Sequence, residues 1–272
     1  MPLSINTNIA SMTAQRSFLN SNQALETAFE RLSTGKRINS ASDDAGGLAI
    51  GTDLQSRVSG LNQAVRNVND GISMIQITEG AYSEVTAILQ RMRDLAVQGA
   101  NGALSTTETG YLDSEHTNLT VALTSVLNQA KFGNTDLVGG AISKTIHAGA
   151  DTGDTVSISL STTSVDTLDN LSVDTNDVTI GDTLAITKID TALDAVASHR
   201  ATLGAQQAQL ESMVRNLSNV AENTAAAAGR IMDTDYAAET ANLTKAQILQ
   251  QAATSILAQA NAQPQAVLAL LQ

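Results

Sequence analysis

Apolar residues stand at Val58, Leu61, Val65, Val68, Ile72, Ile75, Tyr82, Val85, Leu89 and Met92, and the early steps between them alternate three and four. That period is the heptad seam of a helix lying along a partner helix, with Glu79 filling one slot. It predicts a helix from about residue 44 to about 98, roughly 80 Å long at 1.5 Å per residue. Gly71 and Gly80 fall inside it. Each costs about 1 kcal/mol relative to alanine in a helix interior, so tertiary packing is expected to hold both.

A matching seam runs through Ile186, Ile189, Leu193, Val196, Leu203, Leu210, Val214 and Leu217, with the polar Arg200 and Gln207 in intermediate slots. Leu112, Leu119, Leu123 and Val126 mark a third, shorter helix. Three helices with such rows predict a mainly α fold, an elongated antiparallel coiled-coil bundle. Ahead of the first seam lies a turn-rich stretch containing Gly35, Asn39, Ser40 and Gly46-Gly47, in which Ser42, Asp43 and Asp44 are N-cap candidates.

The two ends of the chain form a separate pattern. Leu249, Ala253, Ile256, Ala260, Val267 and Leu271 fall on one helical stripe, with Pro264 in one slot. Ile5, Ile9 and Met12, followed by Phe18, Leu25, Phe29 and Leu32, do the same near the start. Met1 to Gln15 and Ala246 to Gln272 carry no charged side chain, so the polar faces of these helices are made of amides and hydroxyls. A helix bathed in water normally carries charge on its outer face. Two arrangements remain: the terminal helices pack as a pair within one small bundle, or both are buried between neighbouring copies of the chain. One narrow stripe of Ala, Ile and Leu on a lone helix is too small to offset the conformational entropy of ordering it. Partners are therefore expected, and Ile5, Ile9, Met12, Leu249, Ala253, Ile256, Ala260, Val267 and Leu271 are the candidate interface residues.

Between residues 139 and 188 the composition changes: Asp151, Asp154, Asp166, Asp169, Asp174, Asp177 and Asp182 appear among many Ser and Thr, with no Arg or Glu. Alternation in Val156-Ser157-Ile158-Ser159-Leu160 and Val178-Thr179-Ile180 predicts short hairpin strands on a solvated tip. Asp151-Thr152-Gly153-Asp154 lacks the ordered ligand spacing and terminal Glu of a calcium loop and reads as a turn.

Composition narrows the function classes. With 15 Lys+Arg against 27 Asp+Glu, the formal net charge is −12, which argues against a general nucleic-acid binder. The absence of cysteine removes disulfides, thiolate metal sites and cysteine nucleophiles. The first residues lack the basic stretch and apolar run of a signal peptide, and the amides of the last segment make it too polar to span a membrane. His116, His147 and His199 match no metal spacing, and Asp43-Asp44 is explained by helix capping. No nucleophile, base and orienting group can be assembled, so neither an enzyme nor a cofactor is expected.

Three terminal motifs closely resemble bacterial flagellin: Ile5-Asn6-Thr7-Asn8, the run from Arg31-Leu32-Ser33-Thr34-Gly35-Lys36-Arg37 to Asp43-Asp44-Ala45, and Asn69-Asp70-Gly71-Ile72-Ser73. So does the C-terminal run Ala246-Gln247-Ile248-Leu249-Gln250-Gln251-Ala252, continuing through Ala258-Gln259-Ala260-Asn261 to Pro264. The resemblance covers residues 1–138 and 186–272. It implies a self-assembling subunit of the helical filament used for motility, exported unprocessed through the flagellar type III apparatus and extracellular. The terminal segments would be disordered in the monomer and fold together on assembly. It divides the chain into a terminal coiled-coil domain, 1–43 with 230–272, and a rod-like inner domain, 44–229, with a hairpin tip at about 139–188 in place of large outer domains.

The same resemblance implies further partners: a filament cap, hook-junction proteins and an export chaperone. The segment Gln90-Arg91-Met92-Arg93-Asp94-Leu95-Ala96-Val97-Gln98 resembles the stretch of many flagellins recognised by Toll-like receptor 5. Arg91, Leu95 and Gln98 match by position, and Glu115 by its spacing before Phe132. The chain departs from common members in ending at Gln272, where a basic residue is frequent, and in Gln209-Leu210, where an Arg-Phe pair is frequent. The alternative reading is a hook–filament junction protein, which shares terminal helices but caps rather than propagates.

Overall fold

The computed structural model describes residues 7–138, 142–160 and 183–270, including their side chains except those of 183, 184 and 263–270. The expected strand at Val178-Thr179-Ile180 lies outside the described residues. The fold is mainly α. Among the described residues the order is α1 (Ile9–Thr34), α2 (Ala45–Gly99), α3 (Thr106–Gln129), β1 (Lys131–Phe132), β2 (Thr135–Asp136), β3 (Ser143–His147), β4 (Thr155–Ser159), α4 (Thr183–Met232) and α5 (Tyr236–Leu270). None of these helices is long and apolar enough to cross a membrane.

The chain forms two compact units, one from Arg57 to Glu222 and one from the residues up to Ser56 together with those from Asn223. These divisions fall further along α2 and earlier on α4 than the 43/44 and 229/230 boundaries read from the sequence. Glycine explains part of the difference. Gly47 and Gly51 leave the first turns of α2 open to the side chains of Ile38 and Met232, which draws those turns into the terminal unit.

In the Arg57–Glu222 unit the core follows a strict three-four seam on each long helix. On α2 the seam positions Leu61, Ala64, Val68, Gly71, Ile75, Thr78, Tyr82, Val85, Leu89, Met92 and Ala96 are all buried, with Leu95 beside them. Thr78, not Glu79, fills the polar slot, and its hydroxyl is satisfied by donating to the carbonyl of Met74. On α4 the buried row is Ala185, Ile189, Ala192, Val196, His199, Leu203, Leu210 and Leu217. The ion pairs Arg93–Asp190 (2.6 Å) and Arg200–Glu79 (3.6 Å) run in opposite chain directions, so these two stretches are antiparallel. Tyr82 and His199 meet edge to face at 5.3 Å between them. His199 Nε2 lies 2.8 Å from the carbonyl oxygen of Leu160, which can only accept, so that nitrogen carries the proton.

Helix α3 starts with a capping box: Ser105 accepts from the Glu108 backbone N–H, and the Glu108 carboxylate accepts from the Ser105 N–H at 2.8 Å. Its Leu119, Leu123 and Val126 join the same core. Beyond it, Gly133, at φ 61°, turns the two-residue pair β1–β2, which Lys131–Asp136 closes at 2.9 Å. Strands β3 and β4 pair antiparallel, Ile146 opposite Val156 and Lys144 opposite Ile158. The inward Ile146 and Ile158 approach α2 at Gly71, where a Cβ would collide with Ile146 and reach 3.6 Å from Leu210. Packing holds Gly71, as expected.

Gly80 behaves otherwise. It is exposed, and a Cβ there would have nothing within 4 Å. The expectation that packing holds both glycines is corrected for this one. Gly80→Ala is therefore expected to raise the unfolding free energy by about 0.5–1 kcal/mol, through helix propensity and a less flexible unfolded chain. A higher urea midpoint checks it.

His116 gives the unit an acid-side sensitivity. Burial pushes its imidazole below the ordinary value of 6.5, with Asp113 pulling weakly the other way. The folded state then resists a proton that the unfolded chain accepts, so this group's contribution is complete above pH 6.5 and is lost as the pH falls through the lower folded value. The drop in thermal midpoint between pH 7 and pH 5 is expected to shrink in His116→Gln.

Candidate assembly surfaces

The terminal unit is built on α1 and α5. Asn8 caps α1, accepting from the Ser11 N–H at 3.1 Å, while its amide nitrogen donates to the carbonyl of Ala260 at 2.7 Å. Ser11 donates to Asn261, Gln250 to Asn22, and Arg31 lies 3.9 Å from Glu239. As one number rises the other falls, so the helices pair antiparallel. The shared seam is made of small side chains: Ser11, Ala14, Ser21 and Ala28 on α1, and Ala246, Ala253 and Ala260 on α5, all buried. Half-buried Phe18, Leu25, Leu32, Leu243 and Leu257 flank them. Small residues at heptad spacing allow the two backbones to approach closely.

The loop after α1 locks onto the turn between α4 and α5. Gly35, in the left-handed region at φ 71°, caps α1 and accepts from the Thr234 N–H at 3.0 Å. Arg37 donates its backbone N–H to Met232 at 2.6 Å and its guanidinium to the carbonyl of Ile231 at 2.7 Å. The Asp43 carboxylate accepts from the backbone N–H groups of Ser40 and Asn39, which hold it below the usual carboxylate range. Asp44 caps α2 by accepting from Gly47 at 2.9 Å, one of the three caps the sequence offered.

The expected interface residues divide between two environments. Ala253 and Ala260 lie in the seam between α1 and α5. Ile9 (70% exposed), Met12, Leu249 and Ile256 (55% exposed) point away from it, as do Leu19, Phe29 and Ile248. Ile5 and Leu271 lie outside the described residues, as does the side chain of Val267. The pair thus centres its seam on alanine and serine and leaves these seven large apolar side chains in water. From Ala246 to Ala262 there is no charge to solvate that face.

In the other unit, Arg91 donates Nε and a terminal nitrogen to Glu115 Oε1 at 3.0 and 2.6 Å, joining α2 to α3 on an open surface. Gln98 is exposed further along α2. Leu95 is only 1% exposed, so it faces the interior and not the surface that carries the other three.

The small-residue seam, the Asn8 and Asn22 bonds across it, and the loop anchored by Gly35 and Arg37 do not follow from the pattern of large apolar residues. One signal was there: Ala246, Ala253 and Ala260 recur every seven residues. No group of three or more His, Cys, Asp or Glu among the described residues is placed to hold a metal ion.

Residues 5–143 match the family description of the bacterial flagellin N-terminal helical region, and residues 186–271 that of the C-terminal helical region. The chain is 40% identical to a flagellin of Halalkalibacterium halodurans over 272 residues, covering 98% of this chain and 99% of that one. Among solved structures, a Bacillus cereus flagellin crystal structure is 28% identical, with a TM-score of 0.48 over 60% of this chain and 94% of that one. A flagellar hook-associated protein from Vibrio parahaemolyticus gives 16% identity and a TM-score of 0.48 over 71% and 97%.

Proposed function

The chain belongs to the bacterial flagellin family, structural and non-enzymatic proteins exported to form the extracellular flagellar filament, and we propose that its terminal pair α1–α5 is the element that joins one copy to the next. The observation that carries this reading is the division within that pair. Its alanine and serine seam is buried, whereas Ile9, Met12, Leu19, Leu249 and Ile256 are exposed, the last two in a stretch of α5, residues 246–262, that carries no charge. Burying those side chains between copies supplies the apolar contact that a lone pair of helices lacks, so ordering of the ends and assembly are coupled. By spacing, Ile5, seven residues before Met12, extends the exposed row of α1, whereas Val267 continues the register of Ala260 and Leu271 that of the half-buried Leu257.

The filament cap, hook-junction proteins and export chaperone are partners on the same reading. Recognition by Toll-like receptor 5 is a second proposal, resting on Arg91, Glu115 and Gln98, which lie on an open surface. Leu95, being buried, contributes by holding α2 in place and not by contact. Adding short filament fragments to purified chain tests the main reading against a junction protein. A propagating subunit lengthens the fragments in proportion to protein added, as seen by electron microscopy, whereas a junction protein stops after one layer.

A further inference from the structure

We infer that α1 and α5 carry, outside the seam they share, a second pair of matching seams by which α5 of one copy lies antiparallel on α1 of the next. The inference rests on the filament reading and deepens it by naming the contact. On α1, Met12, Arg16, Leu19, Gln23, Glu26 and Glu30 follow steps of four and three, and all are exposed. On α5, Lys245, Leu249, Ala252, Ile256 and Gln259 do the same. Each row has the period of a coiled-coil face, yet neither is the face buried between α1 and α5 in one chain.

Charge fixes the direction. The α1 row begins with Met12 and Leu19 about the basic Arg16 and is acidic at Glu26 and Glu30, while the α5 row begins at the basic Lys245 and is uncharged afterwards. Antiparallel contact sets Glu30 against Lys245 and Leu19 against Ile256, with Glu26 level with Leu249; parallel contact can also align the apolar residues but leaves Glu26 and Glu30 with no base opposite. The register follows from the spacing. Glu30 lies eleven residues after Leu19, and Lys245 eleven before Ile256, both by steps of four, three and four. Setting Leu19 against Ile256 therefore brings Glu30 level with Lys245, about 16 Å along the helices. Arg16 then falls beside Gln259, whose amide oxygen can accept from it. Within a single chain Arg16, Glu26, Glu30 and Lys245 make no ion pair among the described residues. A filament repeats its subunit in one polarity, so α1 of one copy and α5 of its neighbour keep the antiparallel sense.

Because the chain has no cysteine, Leu19→Cys with Ile256→Cys tests the contact directly. Oxidising the polymerised double variant is expected to give a ladder of reduction-sensitive multimers, and oxidising it in dilute solution only monomer. In parallel, Glu30→Lys and Lys245→Glu are each expected to raise the critical concentration about threefold at unchanged helicity, and their combination to return it close to that of the parent. Parent protein that polymerises, with no ladder from the double-cysteine filaments or with a combined charge variant as impaired as the worse single one, overturns this contact alone. Parent protein that does not polymerise overturns the filament reading and this contact with it.

Discussion

Ile256→Asp is expected to abolish polymerisation of the purified chain while leaving its helicity intact. In the single chain Ile256 is 55% exposed and stands off the seam formed by Ala246, Ala253 and Ala260, so an aspartate there remains solvated and α5 loses no internal packing. On assembly the same carboxylate would be enclosed between copies in place of an apolar side chain, level with Leu19 and one turn from Arg16, which is set beside Gln259. Enclosing a carboxylate with no base level with it costs several kcal/mol at every contact, and each subunit of a filament repeats that contact. Sedimentation should find the variant soluble at concentrations where the parent pellets, with an unchanged circular dichroism spectrum. Polymerisation at the parental concentration would refute the assignment of this face.

The second large effect lies in the other unit. Leu210→Ala is expected to destabilise it by about 3 kcal/mol, in the range of buried Leu→Ala substitutions. Leu210 is 1% exposed, and opposite it stands Gly71, which has no side chain to move into the space. Ile146 and Ile158 already close on Gly71 from the hairpin, so the cavity is held open on both sides and collapses little. Val214, half-buried at the edge of the same helix, is the internal comparison, and Val214→Ala should cost about 1 kcal/mol. Urea midpoints at unchanged slope measure both; equal losses would show that the core is not centred where Leu210 sits.

The long helices were legible because a seam of large apolar residues is a strong signal. Leu61, Val68, Ile75, Tyr82, Val85, Leu89 and Met92 on α2, and Ile189, Val196, Leu203, Leu210 and Leu217 on α4, are the buried positions the spacing predicts. The other half of each seam was read one residue off. Val65, Ile72, Leu193 and Val214 looked like core and are only half-buried flanks, whereas Ala64, Gly71, Thr78, Ala192 and His199 occupy the centre. The reason is geometric. Where two helices approach closely, the central slot accepts small side chains, and a reading that ranks positions by hydrophobicity assigns it to the larger neighbour.

The same error shaped the terminal stripes. The spacing places Ala253 and Ala260 on one stripe with Leu249 and Ile256, whereas in the structure they bind α1 while the larger pair looks outward. The two arrangements posed by the sequence are therefore compatible: small residues pair α1 with α5, and large ones remain for a neighbour. The β1–β2 pair was also missed, though Gly133-Asn134 between Phe132 and Thr135 is a hairpin turn signal. Gly80 misled in the opposite way, because a glycine inside a seam suggests a close approach and here meets open space. Leu95 matches a motif by position alone, which carries no information on exposure; its burial follows from its position next to Ala96 on the inner face of α2.

Amide hydrogen exchange, compared between the dilute chain and its polymer, tests most directly whether the two ends find their missing contacts only in one another's copies. Peptides from residues 9–34 and 236–262 should exchange fast in dilute protein and become strongly protected on polymerisation, while the cores of residues 57–129 and 185–222 are slow in both. Equal, strong protection of the two end segments in the dilute chain would contradict the account.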